Sequence, residues 1–149
     1  MKIKNENLND DLVMEMGRFA ILWNCFERNH CNFHSTPSQI KEIAPRLNID
    51  EEKQSKLAEV LNQRRMWFGQ LVSEYVEASL HPDNAHNSSA DNKKRMEEFV
   101  EQRGDLRCGC LLVIHRIRNN LMHGIKRIEQ LNDQLELFEA VNDVLESIT

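Results

Sequence analysis

The stretch Leu111–Lys126, LLVIHRIRNNLMHGIK, decides how this chain folds. It has the length of a helix and is apolar on more than one side, yet it carries two Arg, two His and two Asn and reaches a glycine at Gly124. On a helix of about 3.6 residues per turn, Cys110, Ile114, Ile117 and Leu121 recur as one stripe that faces a core. Roughly opposite runs a second stripe through Cys108, Leu111, Leu112, His115, Asn119 and Met122. A helix apolar on two sides is normally buried on two sides, either at the centre of a bundle or between its own bundle and a partner. The second stripe is read here as surplus to one core. Leu111, Leu112, His115 and Met122 are therefore expected to form the isologous interface of a homodimer. Arg118 and His123 lie on the two edges of that stripe with Asn119 between them, so all three can look into one groove. Gly124 suits the left-handed position that ends a helix, which puts His123 in a last turn where the backbone can loosen.

Working outward, the chain has 149 residues, 40% hydrophobic and 29% charged, which suits one domain spanning residues 1–149 with a modest core. With 5 Gly, 3 Pro and long runs of good helix formers, the composition predicts an all-α fold. The expected architecture is a four- to six-helix bundle, mostly up-and-down. Nothing at the N-terminus has the apolar core of a secretory signal, and no run is long enough to cross a bilayer. The expectation is a cytoplasmic protein with no membrane partner. Its 4 Cys are not in Cys-x-x-Cys units and are read as free thiols acting as small hydrophobes. Cys25, His30, Cys31 and His34 match no zinc spacing, so no metal and no cofactor are expected.

A net charge of −5 argues against a protein that coats nucleic acid non-specifically. The charge is unevenly spread, however. Between Leu106 and Ile128 there is no acid, while Arg107, Arg116, Arg118, Lys126 and Arg127 are all cationic. For Lys126 and Arg127 two readings stay open: contact with a phosphate backbone, or compensation of the negative end of a helix dipole.

Along the rest of the chain, a first helix is predicted from about Leu8 to Asn29, starting at Asn9 or Asp10, with Leu12, Met16, Phe19, Ala20, Trp23 and Phe26 inward. Thr36-Pro37-Ser38-Gln39 is a helix start with a capping box, and Pro45 should shorten the helix that follows. Asp50-Glu51-Glu52 places acid at the start of a third helix predicted to reach His81, with Leu57, Leu61, Phe68 and Tyr75 inward. Residues 81–91 read as a loop and 93–103 as a helix. The last helix, Arg127–Ile148, is expected to turn back at Gly124 as an antiparallel partner of the central one.

The string Arg118-Asn119-Asn120-Leu121-Met122-His123-Gly124 resembles the Arg, polar residue, gap, His signature of the HEPN superfamily. These are small all-helical proteins, many of them RNases in prokaryotic toxin–antitoxin and phage-defence systems. The likeness is specific over the C-terminal part of the chain and extends to the remainder only as a helical pattern. Met122 replaces a Phe found in some members, and Ile125 stands where others have a Tyr. A loose second match, Arg28-Asn29-His30-Cys31-Asn32-Phe33-His34, has no glycine stop and follows a helix with a one-sided stripe; it is read as a decoy.

The resemblance implies a metal-independent endoribonuclease that works as a homodimer, with two motifs meeting in one cleft. A possible antitoxin or other regulatory protein is a further partner it implies. Histidine has the pKa for moving the proton of a 2′-hydroxyl or a leaving 5′-oxygen. Arg118, always charged and bidentate, suits the charge that builds on the phosphate. In this reading Arg118, Asn119 and His123 are catalytic, and Arg116, Asn120, Lys126 and Arg127 bind RNA. The alternative from a different class is a non-catalytic dimeric module that binds RNA, a nucleotide or a partner protein.

Overall fold

The computed structural model describes residues 1–3, 5–64, 106–122 and 131–148. Among them the chain is mostly helical, as the composition predicts. A two-residue hairpin comes first, β1 (Lys2–Ile3) and β2 (Glu6–Asn7), with Lys2 opposite Asn7 and Ile3 opposite Glu6. Then follow α1 (Asp10–His30), α2 (Pro37–Ile43), a 3-10 turn at Ala44–Arg46, α3 (Glu51–Gln63), α4 (Leu106–Met122), a second 3-10 turn at Asn132–Gln134, and α5 (Leu135–Ile148). No helix among the described residues is long and apolar enough to cross a membrane.

The helix starts have local causes. Asn9 Oδ1 accepts from the Asp11 and Leu12 backbone N–H groups at 2.8 and 3.3 Å, and Asp10 and Asp11 add negative charge to the first turn. Thr36 Oγ1 accepts from Gln39 N–H at 3.2 Å, and Pro37 opens α2 where its missing N–H costs nothing. Pro45 sits in the 3-10 turn that ends α2. The C-terminus of α1 is closed by Cys31 and Phe33, whose N–H groups both donate to Glu27 O at 3.0 Å around Asn32 in the left-handed conformation (φ 50°). Gln39 Nε2 then donates to Cys31 O at 2.9 Å and ties α2 to that turn.

The core lies where α1, α3, α4 and α5 converge. Phe19 of α1 meets Phe138 of α5 edge-on, with ring centroids 5.4 Å apart, and Trp23 packs on Phe26 at 5.0 Å. Polar bonds along the seam give α1 and α5 the same direction. Asn132 just before α5 bonds Asn7 and Asn9 at the start of α1; further along, Asn142 Nδ2 donates to Glu15, and Arg18 pairs with Asp143 and Glu146. α3 runs antiparallel to α5, with Asp50 bonded to Ser147 and Arg64 to Asp133.

One expectation changes here. The last helix packs mainly on α1 and α3, while α4 packs on α2 and α3, so α5 is not chiefly the partner of the central helix. Leu131 is helical and is joined to α5 by the 3-10 turn at Asn132–Gln134, while the expected start of the last helix at Arg127 lies outside the described residues. The loop at 81–91, the helix at 93–103 and the third helix beyond Arg64 lie outside them as well.

The thiols behave as small core groups. Cys31, Cys108 and Cys110 are buried and Cys25 is half-buried. Burial pushes Cys110 up to about 12, and burial with the nearby Glu27 charge pushes Cys31 up to about 11, so both stay protonated at neutral pH.

Candidate functional site at the end of the central helix

Helix α4 is buried more completely than a two-sided stripe requires. Every residue from Cys108 to Ile117 is inside the chain. Leu111, Leu112 and His115, expected at a dimer interface, belong to this set and pack in the chain's own core. They are therefore unavailable to a two-fold partner, because neighbouring helices of the same chain already cover both stripes. The Met122 side chain lies outside the described residues.

The same burial corrects part of the expected RNA-binding set. Arg116 is 8% exposed and Asn120 is 4% exposed, so neither presents a surface to a large polyanion. Both have partners within the chain. Lys126 and Arg127 fall outside the described residues, as do His123 and Gly124. Arg107, the first cation of the acid-free segment, donates from Nη1 to Pro45 O at 3.2 Å and so closes the turn after α2.

Arg118 and Asn119 differ from their neighbours. Both are half-buried at the C-terminal end of an otherwise buried helix, and Arg118 Nη1 donates to Asn119 Oδ1 at 2.9 Å. That bond uses one of five guanidinium donors and restrains the fork while leaving it at the protein surface.

Next to this pair the fold brings up groups that sequence spacing did not reveal. Ser35, in the connection after α1, donates from its backbone N–H and its Oγ to Glu27 Oε2, at 3.1 and 2.9 Å. Ser35 is buried, and its backbone lies close enough to the His115 ring to favour the charged form of the imidazole. The imidazole of His115 also lies 6.0 Å from the Trp23 ring. Glu27, Ser35 and His115 thus form a polar seam between the end of α1 and the second half of α4, with Arg118 near enough for its charge to act on the imidazole.

Burial makes His115 a weak base. Burial lowers its pKa from the model-compound value of 6.5 to about 4; the Ser35 backbone and Glu27 oppose that shift, and Arg118 and Arg116 add to it. At neutral pH His115 is uncharged.

An open recess of about 720 Å³ lies at the other end of α4, beside Leu106 and Arg107. Asp50 and Glu51 line it, and carboxylates repel a phosphate backbone. Close to Arg118, α4 and α5 enclose only a small apolar gap of about 20 Å³ between Ile117, Leu121, Leu131 and Phe138. That space holds at most about one water. Any substrate here would lie on the surface beside Arg118. No family model matches the sequence, and no curated protein and no solved structure is significantly similar to it.

Proposed function

We propose that this chain is a metal-independent endoribonuclease of the HEPN kind, acting as a homodimer with a role in a toxin–antitoxin or phage-defence system. The observation that carries the proposal is the string Arg118 to Gly124 at the end of a buried helix, where Arg118 and Asn119 stay together at the surface while the residues before them go inside. A fixed cation followed closely by a histidine is what the chemistry of RNA self-cleavage needs.

In this mechanism His123 takes the proton of the ribose 2′-hydroxyl, and the oxygen attacks the adjacent phosphorus. The bond to the leaving 5′-oxygen breaks, and that oxygen collects a proton. Arg118 holds the non-bridging oxygens as charge accumulates in the transition state, where its effect counts most. Asn119 restrains the guanidinium. One histidine cannot serve as acid and base in the same instant, so a second copy of the motif is a natural source of the other proton carrier.

The test is end-group analysis of RNA cleaved by the wild-type chain with and without excess EDTA. The expected products are a 2′,3′-cyclic phosphate and a 5′-hydroxyl, formed equally in both conditions, and a substrate with 2′-deoxyribose at the scissile position should bind and stay intact. Products with 5′-phosphate ends, or a strict metal requirement, would sink the mechanism. Binding without cleavage would favour the non-catalytic module.

A further inference from the structure

Helix α1 has a second face that its own core does not use. Asp10, Met14, Gly17, Ile21, Asn24 and Arg28 fall within one narrow stripe at about 100° per residue, and all six are exposed. The stripe lies opposite Leu12, Phe19, Trp23 and Phe26, which are buried. Met14 is 72% exposed and Ile21 67%, the kind of large apolar group that a surface helix seldom presents twice on one line.

The order of residues on this stripe is self-complementary. It begins with a carboxylate, ends with a guanidinium and has no charge between. When a second copy of the same helix is laid against it antiparallel, Asp10 meets Arg28 at both ends and Met14 lies over Asn24. Ile21 lies over Gly17, where a Cβ would touch nothing within 4 Å, so the backbone leaves room for an incoming side chain. One register satisfies all three pairings. Asp10 keeps acceptor capacity for this, although the N-terminal amine already sits 2.9 Å from one of its oxygens.

The ends of the helix support the same arrangement. Phe33 follows Arg28 in the left-handed conformation (φ 70°) and is 72% exposed. The turn that holds this conformation closes α1 through the Phe33 N–H on Glu27 O, and it leaves the ring in solvent. With Asn24, Glu27 and Arg28 it lines a shallow recess of about 230 Å³. At the other end of α1, where the N-terminal amine meets Asp10, Met1 and Ile3 are exposed as well.

We infer that the outward face of α1 is a homodimer interface, occupied by the same face of a second copy of this chain running antiparallel. Pairing through a single helix face predicts a dimer that forms and dissociates with concentration. The antiparallel arrangement holds the two α4 ends on far sides of the pair. A cleft shared by two Arg118 motifs would use a separate contact, so a dimer that survives Ile21→Arg would sink this interface and leave that reading standing.

Sedimentation velocity on the full chain over a wide concentration range tests the inference, with circular dichroism as a check on folding. The wild type should shift from monomer to larger species with concentration. Ile21→Arg should abolish that shift without loss of helicity. Arg28→Glu and Asp10→Lys should each weaken association at least about tenfold, which is about 1.4 kcal/mol, and the two together in one chain should restore it, because the charges are exchanged at both ends. A wild type that stays monomeric at millimolar concentration overturns the inference. So does a dimer that ignores Ile21→Arg, or a charge-exchanged double variant no better than the single ones.

Discussion

Two helices of this chain carry Arg-Asn in or near their last turn with a histidine after it, and they are built in opposite ways. In α1, which ends in Arg28-Asn29, one face carries Leu12, Phe19, Trp23 and Phe26 into the core, and the other leaves Met14 and Ile21 in solvent. In α4, which carries Arg118-Asn119 near its end, all residues from Cys108 to Ile117 are buried whichever face they occupy. The same letters therefore stand in different physical settings. Beyond Arg28 the chain leaves the core into an exposed turn at Asn32 and Phe33. Arg118 is the first half-exposed residue after three turns of helix held inside the protein. A cation that is to act on a phosphate needs a rigid base, and α4 supplies a firmer one than α1.

The largest effect that could break this distinction is catalytic. His123→Ala or Arg118→Ala should lower RNA cleavage by about 10²-fold or more, while His34→Ala and Arg28→Ala should leave the rate near that of the wild type. Arg118→Ala should lower turnover more than it weakens substrate binding. Single-turnover assays on labelled RNA would read both quantities, and the reverse pattern would assign the site to the end of α1.

A smaller but sharper comparison uses one residue type on each helix. Ile114 is fully buried in α4, and Ile114→Ala should cost about 2–5 kcal/mol in urea denaturation. Ile21→Ala on the open face of α1 should change stability by no more than about 0.5 kcal/mol at concentrations where the chain is monomeric. Similar costs at both sites would mean that α1 is covered within its own chain.

The central helix should also be the more sensitive to acid. His115 has its folded pKa depressed to about 4 from 6.5, so the stability it permits is complete above pH 6.5 and is lost as pH falls toward 4. Over that window the unfolded chain takes up a proton that the folded chain refuses, and the loss should reach about 3 kcal/mol. Denaturation midpoints measured from pH 7.5 to 4 should therefore slope less in His115→Gln than in the wild type. Parallel slopes would show that burial does not keep the proton from His115.

The smallest effect belongs to a helix end. Asn9→Ala removes the acceptor for two N–H groups of α1 and should cost about 1 kcal/mol, visible as a modest drop in thermal midpoint. A larger cost would implicate the neighbouring contact in which Asn9 N–H donates to Asn132 Oδ1, at the junction with α5.

What could be read without the fold is what depends on neighbours along the chain. Asn9 and Thr36 as caps, Pro45 as a stop, acid at the start of α3 and the free, buried character of most thiols all follow from local propensity and composition. The periodicity of Leu111–Lys126 also established by itself that α4 would be buried on two sides. It carried no information on what does the covering. A stripe of Leu and Ile gains the same free energy from leaving water whether it meets the same chain or another copy, and the tertiary structure chose the same chain. Leu111, Leu112 and His115 went inside for that reason, and Arg116 and Asn120 were carried in with them. The placement of Glu27 and Ser35 beside His115 was likewise settled only by packing, since residues far apart in sequence meet through the path of the whole chain. Sequence alone placed an arginine and a histidine near a helix end; tertiary structure decided that Arg118 and Asn119 would emerge at the surface while the side chains before them stayed within.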